Sequence, residues 1–192
     1  MLYIIIIVAS IIISLICGGE LERLTNISIE GVPLFAVALL LRLGVWAAEL
    51  LSFSGIVRFS PHLIIISYLI LIFASLRNIK LPGFKYIGLG LLLNAFVIML
   101  NGGRMPVLIT QGLVEKFNSA TLSPAGNSAV HCLRGNMTLF AFLGDVIPMP
   151  CFFPTNELLS VGDIMLFIGL FVLIQQIMMK EMALQKDSAS SE

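Results

Sequence analysis

Ser160–Gln175 reads SVGDIMLFIGLFVLIQ, and Asp163 stands at the start of a long apolar run. Continued to Met179, this run has about the length that a helix needs to cross the roughly 30 Å hydrocarbon core of a bilayer. The hydrocarbon core offers no hydrogen-bond partners, so the backbone N–H and C=O groups must bond to one another within a helix. The stretch therefore predicts a membrane-spanning helix that Ser160 can cap, with the Asp163 carboxylate in its first turn.

The composition of the whole chain supports a membrane protein. Of 192 residues, 58% are hydrophobic and only 11% are charged, against about 25% charged residues in soluble domains. The formal net charge is zero, which gives a nucleic-acid partner no electrostatic support. The sequence contains no metal-binding or cofactor-binding motif, so we predict neither a metal nor a cofactor. The lipid bilayer is an expected partner of the protein.

Five stretches have the length and apolarity of membrane-spanning helices. They are approximately Leu2 to Gly18, Val32 to Phe53, Pro61 to Leu76, Phe84 to Asn101 and Ser160 to Met179. We predict an all-α integral membrane protein, a single polytopic domain over residues 1–182 built as a bundle of about five helices. An irregular extracytoplasmic segment, residues 102–159, links helices 4 and 5, and residues 183–192 form a disordered tail.

Basic residues in short loops predict the orientation, because cytoplasmic loops are enriched in lysine and arginine. Such residues lie between the third and fourth spans and after the fifth: Arg77, Lys80, Lys85, Lys180 and Lys186. These two sides should face the cytoplasm. The amino terminus and the segment 102–159 then lie outside, and the carboxyl terminus lies inside.

The segment 102–159 divides into parts of different character. VLITQGLVEKF, residues 107–117, predicts a short amphipathic helix, and MTLFAFLGDVI, residues 137–147, predicts a strand or a re-entrant piece packed on the bundle. The NGGRMP motif at its start predicts a helix stop, because Gly102 or Gly103 can adopt the left-handed conformation and Pro106 cannot continue the helix. The paired glycines would also allow a binding partner to approach the backbone.

Ionisable residues within the spans are costly and need partners. The polar Asn94, in the middle of the fourth span, is expected to bond to a neighbouring helix. Arg42 and Glu49 lie seven residues apart in the second span, about 10 Å along a helix, so each should have a partner of its own. In the predicted orientation Glu49 lies near the outer surface with Asn101 and Asp163.

The outer segment adds Arg104 and Asp145 to this group. A salt bridge of Arg104 with Asp145 or Asp163 would dock the outer segment on the helices. The alternative interpretation is a catalytic site, in which Asp145 and Asp163 are the candidate catalytic residues. Two adjacent carboxyl groups cannot both ionise easily, which leaves one acid and one base. The candidate binding residues are Asn101, Gly102, Gly103, Arg104, Pro106 and Glu49.

NGGRMPV, LGDVIPMP and SVGDIMLFIGLFVLIQ together resemble a family of small bacterial multi-pass membrane proteins of unknown function. The resemblance covers nearly the whole chain. It implies a bacterial cytoplasmic-membrane protein and no particular activity.

A more local resemblance is to lipoprotein signal peptidase, an intramembrane aspartyl protease whose catalytic aspartates lie near the outer membrane surface. Asp145 in GDVI and Asp163 in SVGD have a comparable spacing, and Gly169 matches a glycine of the second motif. Ser160 replaces an asparagine of that motif, and Asn94 lacks the aspartate and arginine that follow its counterpart. The resemblance implies a hydrolase in which both aspartates activate water.

Three functions remain open at this point. The first is a non-catalytic membrane module that binds a partner protein or lipid at the outer polar cluster. The second is the aspartyl hydrolase. The third is a small proton-coupled carrier that uses Arg42 and Glu49, for which the absence of an internal repeat is unfavourable.

Overall fold

A computed structural model describes residues 2–107, 131–133, 138–149 and 158–189 of the chain. The α-helices are α1 (Leu2–Ile16), α2 (Val32–Leu50), α3 (Ser54–Arg77), α4 (Phe84–Leu100) and α5 (Val161–Ala189). Short 3-10 helices cover Leu21–Asn26 and Ala141–Leu143. The strands are β1 (Met105–Val107), β2 (His131–Leu133), β3 (Ile147–Pro148) and β4 (Leu158–Leu159).

The helices lie where hydropathy predicts them, and two differ in length. The third predicted span begins at Pro61, whereas α3 begins at Ser54 and contains the proline. Proline cannot donate to the carbonyl of Val57, and the Ser60 hydroxyl donates to that carbonyl instead, at 2.8 Å. A neighbouring hydroxyl thus replaces the missing backbone bond, and the helix continues through the proline.

The other difference is at the end of α5, which continues to Ala189. It therefore enters the stretch 183–192 that the sequence predicts as a disordered tail. The predicted amphipathic helix at 107–117 falls almost wholly outside the described residues.

Exposed and buried side chains are distributed as in a membrane bundle. Large apolar residues such as Trp46, Leu50 and Phe53 are more than half exposed, whereas Ser67, Ser75 and other small polar residues are fully buried. An apolar surface of this extent is typical of a protein that lipid surrounds, and small polar residues are common between packed membrane helices. The prediction of an all-α membrane protein is confirmed.

Three helices are long and apolar enough to cross a bilayer: Val32–Leu50, Gly55–Arg77 and Val161–Met179. The other two apolar helices, Leu2–Ile16 and Phe84–Leu100, are shorter. The count of five spans and the orientation of the termini therefore stay predictions.

Paired glycines fix the position of α5 along the axis of α4. A Cβ on Gly90 would lie 2.5 Å from the carbonyl oxygen of Gly162, and a Cβ on Gly169 would lie 2.8 Å from the carbonyl oxygen of Gly83. Each helix thus contributes two glycines seven residues apart, which lets the antiparallel backbones touch. The contact places the first turn of α5 beside the middle of α4.

The outer segment enters the bundle as short strands. β1 and β2 pair in parallel, and β3 pairs with β4 in antiparallel fashion. The backbone N–H of Asp145 donates to the Pro106 carbonyl at 2.9 Å. This contact brings the GDVI stretch, which the sequence predicts to pack on the bundle, alongside β1.

Candidate binding cavity

Asp163 is held by a reciprocal cap at the start of α5. The Asp163 N–H donates to the Ser160 hydroxyl at 2.9 Å, and the Ser160 N–H donates back to the Asp163 carboxylate at 3.1 Å. This arrangement satisfies two backbone donors that a helix start otherwise leaves open. The predicted capping role of Ser160 is confirmed.

The other carboxylate oxygen of Asp163 joins two further helices to α5. It accepts hydrogen bonds from the Tyr3 hydroxyl of α1 and the Asn94 amide of α4, each at 3.1 Å. The Ser160 hydroxyl also donates to the Asn94 carbonyl oxygen at 2.9 Å. Both oxygens of Asp163 are therefore engaged in fixing three helices, as predicted for Asn94, which bonds to a neighbouring helix.

The network lies at mid-height in the bundle. Asn94 is seven residues before Asn101 and eleven after Gly83, which puts it about 10 Å and about 16 Å from these two ends of α4 at 1.5 Å per residue. Asp163 bonds to Asn94, so it shares that depth. The sequence predicts Asp163 near the outer surface, and its depth relative to a membrane stays a prediction. Within the bundle, the glycine contacts set Asp163 beside Asn94.

Asp145 faces the same cavity as Asp163. The cavity has a volume of about 220 Å³ and is lined by Tyr3, Arg42, Ile64, Tyr68, Asn94, Ile98, Met105, His131, Asp145 and Asp163. The Asp145 carboxylate lies 3.7 Å from Nε2 of His131. Both aspartates therefore line one recess, and their pairing as a catalytic dyad stays a prediction.

Burial raises the pKa of Asp145 to about 7, and the negative charge of Asp163 acts in the same direction. Burial also lowers the pKa of His131, against the opposing charges of Glu49 and Asp163. Near neutral pH the cavity thus contains a carboxyl group that is partly protonated and an imidazole that tends to be neutral. Asp145 can donate a proton or a hydrogen bond there.

Arg42 supplies the guanidinium that lines the cavity. Its Nε donates to the Ser67 hydroxyl at 3.3 Å, and its guanidinium carbon lies 4.2 Å from the centre of the Tyr68 ring. Both contacts fix a cation within the apolar bundle. The expectation that Arg42 has a partner other than Glu49 is confirmed.

The NGGRMP motif attaches the outer segment to the helices. Gly102 and Gly103 have positive φ values of 67° and 81°, which confirms the predicted helix stop. Gly103 packs against the backbone of Pro61, and Pro106 is fully buried. The Asn101 amide donates to the Leu139 carbonyl at 2.9 Å and accepts from the Leu139 N–H at 3.0 Å.

Arg104 and Glu49 lie around the cavity but are not among its lining residues in the described part of the chain. Arg104 is half-buried, and its charge acts against the burial that raises the pKa of Cys132. The described partners of the two aspartates are Tyr3, Asn94, Ser160 and His131 together with the Pro106 carbonyl. The predicted salt bridge of Arg104 with either aspartate stays a prediction.

Sequence reasoning did not assign Tyr3, Tyr68 or His131 to the site. Tyr3 lies far from the other residues in the chain, and only the packing of α1 on α5 brings it to Asp163. Polar residues in apolar runs were the available signal, and it did identify Arg42 and Asn94. His131 belongs to a segment whose fold the sequence does not predict.

Replacing Asp145 by Asn should flatten the dependence of stability on pH. The pKa of Asp145 rises from 3.8 to about 7 on folding, so the folded state binds more protons between these values. Stability therefore falls as the pH rises from about 4 to about 7. We expect Asp145→Asn to melt several degrees higher than wild type at pH 8 in detergent. The exposed variant Glu30→Gln should keep the wild-type slope, and an unchanged slope in Asp145→Asn would contradict the placement.

A model of a protein family, described as a family of unknown function (DUF5317), matches residues 26–175. An uncharacterised protein of Thermotoga maritima is 29% identical over 163 residues, which cover 82% of this chain and 81% of that protein. No solved structure matches the chain significantly.

Proposed function

The chain belongs to DUF5317, a family of unknown function, and we propose that it is a non-catalytic membrane module that binds a lipid or a partner protein in the polar cavity. One observation carries the proposal. Both carboxylate oxygens of Asp163 already accept hydrogen bonds that position α1, α4 and α5. A carboxylate engaged in this way holds neighbouring helices together, which is a structural role.

The remaining polar groups favour binding. Arg42, His131 and Asp145 line the recess from α2 and the outer segment. The lining also includes the apolar residues Ile64, Ile98 and Met105. A few polar groups set in an apolar wall are typical of a ligand site.

The outer segment also presents an apolar edge beside the site. Leu139, Phe140 and Phe142 are about half exposed or more, and Phe140 packs edge to face against Phe96 of α4, with ring centroids 5.2 Å apart. Exposed aromatic side chains of this kind suit the membrane interface. A lipid or a membrane-embedded partner can therefore approach at this edge.

Native mass spectrometry of the protein purified in mild detergent tests this function. We expect wild type to retain a bound lipid or protein of defined mass. Ile64→Phe should lose it, because the buried Ile64 lines the cavity. The matched control Ile66→Phe, on an exposed position of α3, should retain it. No retained mass in wild type, or equal retention in both variants, would contradict the proposal.

The aspartyl hydrolase is a second candidate, favoured by the presence of two carboxyl groups in one cavity and by the raised pKa of Asp145. In this function Asp145 acts as the acid and Asp163 as the base. Its test is complementation of a deletion strain by Asp145→Asn and Asp163→Asn at equal membrane levels. Equal and complete loss by both variants favours the hydrolase, whereas retained function in Asp145→Asn excludes it.

A further inference from the structure

Arg42 is a cation at mid-height in a membrane helix. It lies ten residues after Val32, the first residue of α2, and bonds to Ser67 within α3. A charge at this depth is costly unless a partner compensates it. Among the residues that the structure describes, no carboxylate forms a salt bridge with Arg42.

Hydrogen bonds from Tyr3, Asn94 and Ser160 already compensate the charge of Asp163. The other titratable or charged groups around Asp145 are Tyr3 of α1, Arg42 and Glu49 of α2, Tyr68 of α3, His131 of β2 and Asp163 of α5. With Asp145 protonated, its carboxyl O–H and the guanidinium of Arg42 are both donors. The recess then carries one cation and one neutral donor in addition to the hydrogen-bonded Asp163.

We propose that this cavity binds a phosphodiester monoanion, with Arg42 as the charge partner and protonated Asp145 as a second donor. The inference rests on the proposed binding function and names its ligand class. A guanidinium presents a planar set of donors that matches phosphate oxygens. The volume of about 220 Å³ equals roughly seven water molecules at about 30 Å³ each, which suits a headgroup fragment better than a large ligand.

Protonation of Asp145 couples this binding to pH. The ionised carboxylate repels an anion and offers no donor. Because the pKa of Asp145 is about 7, binding should weaken by roughly tenfold or more between pH 6 and pH 8.5. A phosphodiester keeps one negative charge across this range, so the protein causes the change.

The experiment measures binding of two probes through the shift in melting temperature of the detergent-solubilised protein. Dioctanoyl phosphatidylglycerol represents a lipid, and dimethyl phosphate represents a soluble phosphodiester. Dioctanoylglycerol, which lacks the phosphate, is the neutral control. A shift with only the first probe identifies a lipid headgroup, and a shift with both identifies the phosphodiester itself.

We expect Arg42→Gln to lose at least tenfold in affinity for the effective probe. Arg58→Gln, an exposed arginine on α3, should bind like wild type. Arg42→Lys keeps the charge and tests the site if Arg42→Gln fails to fold; it should bind with intermediate affinity. Wild-type affinity in the Arg42 variants, no shift with either anion, or an equal shift with dioctanoylglycerol would overturn the inference.

These outcomes separate the two proposals. If the ligand detected by native mass spectrometry is lost from Ile64→Phe but retained by Arg42→Gln, the cavity is a binding site and its ligand is not an anion held by Arg42. A wild-type protein that retains no mass would remove the binding function itself.

Discussion

Gly90→Ala should strongly reduce the amount of folded protein in the membrane, and its melting temperature in detergent should fall by roughly 10 °C. The added Cβ would lie 2.5 Å from the Gly162 carbonyl oxygen and 2.9 Å from Cγ of Leu166. One of these neighbours is backbone, so α4 and α5 must move apart. Overpacking of this kind costs about 1–3 kcal/mol or more, and separation of the helices also disturbs the Asn94–Asp163 contact.

Gly44→Ala is the matched control for this prediction. Gly44 also lies inside an apolar helix, but a Cβ there would meet nothing within 4 Å. Because alanine favours helix over glycine by about 1 kcal/mol, this variant should be as stable as wild type or more stable. Equal melting temperatures for the two alanine variants would refute the glycine contact that sets the height of α5.

Asp163→Asn should destabilise the fold by on the order of 10 °C in melting temperature. The carboxylate accepts from three donors, on Tyr3, Asn94 and Ser160. An amide offers one oxygen and one NH₂ group, so at least one donor then faces another donor. Hydrogen bonds to charged groups contribute about 1.5–3 kcal/mol each, and each kcal/mol corresponds to about 2–4 °C in a chain of this size.

Asp145→Asn provides the comparison, because the same exchange should raise stability there at pH 8. Opposite signs at the two aspartates would show that one carboxylate positions helices and the other is buried at a cost. Loss of stability by the same amount in both variants would contradict this division of roles. Circular dichroism melts of both variants at pH 8 measure the difference directly.

Local patterns in the sequence predict the helices and their ends. Hydropathy locates the five apolar helices, the paired glycines after Asn101 predict the stop of α4, and the SVGD motif predicts the cap of α5. Each of these features depends on a few neighbouring residues. The two candidate aspartates both line one cavity, and their function as a pair stays a prediction.

The position of the site within the bundle, and the identity of the arginine that lines it, depend on packing between distant segments and are not predicted by local patterns. Gly83, Gly90, Gly162 and Gly169 carry a signal for the relative height of α4 and α5, since their spacing of seven repeats in both helices. That signal has meaning only once the two helices are known to be antiparallel neighbours. Arg104 is the chain neighbour of Met105, which lines the cavity, but Arg104 itself is not a lining residue. Arg42 lines the cavity instead, because α2 packs on α3 at Ser67.

The segment 102–159 carries Asp145 into the cavity of the bundle that Asp163 also lines. Carbon-13 NMR of protein labelled on the aspartate carboxyl groups tests it most directly, with the Asp145 signal assigned by its absence in Asp145→Asn. We predict a titration midpoint near 7, which moves to lower pH in Asp163→Asn because one neighbouring negative charge is removed. A midpoint near 4, unaffected by the exchange at Asp163, would contradict the account.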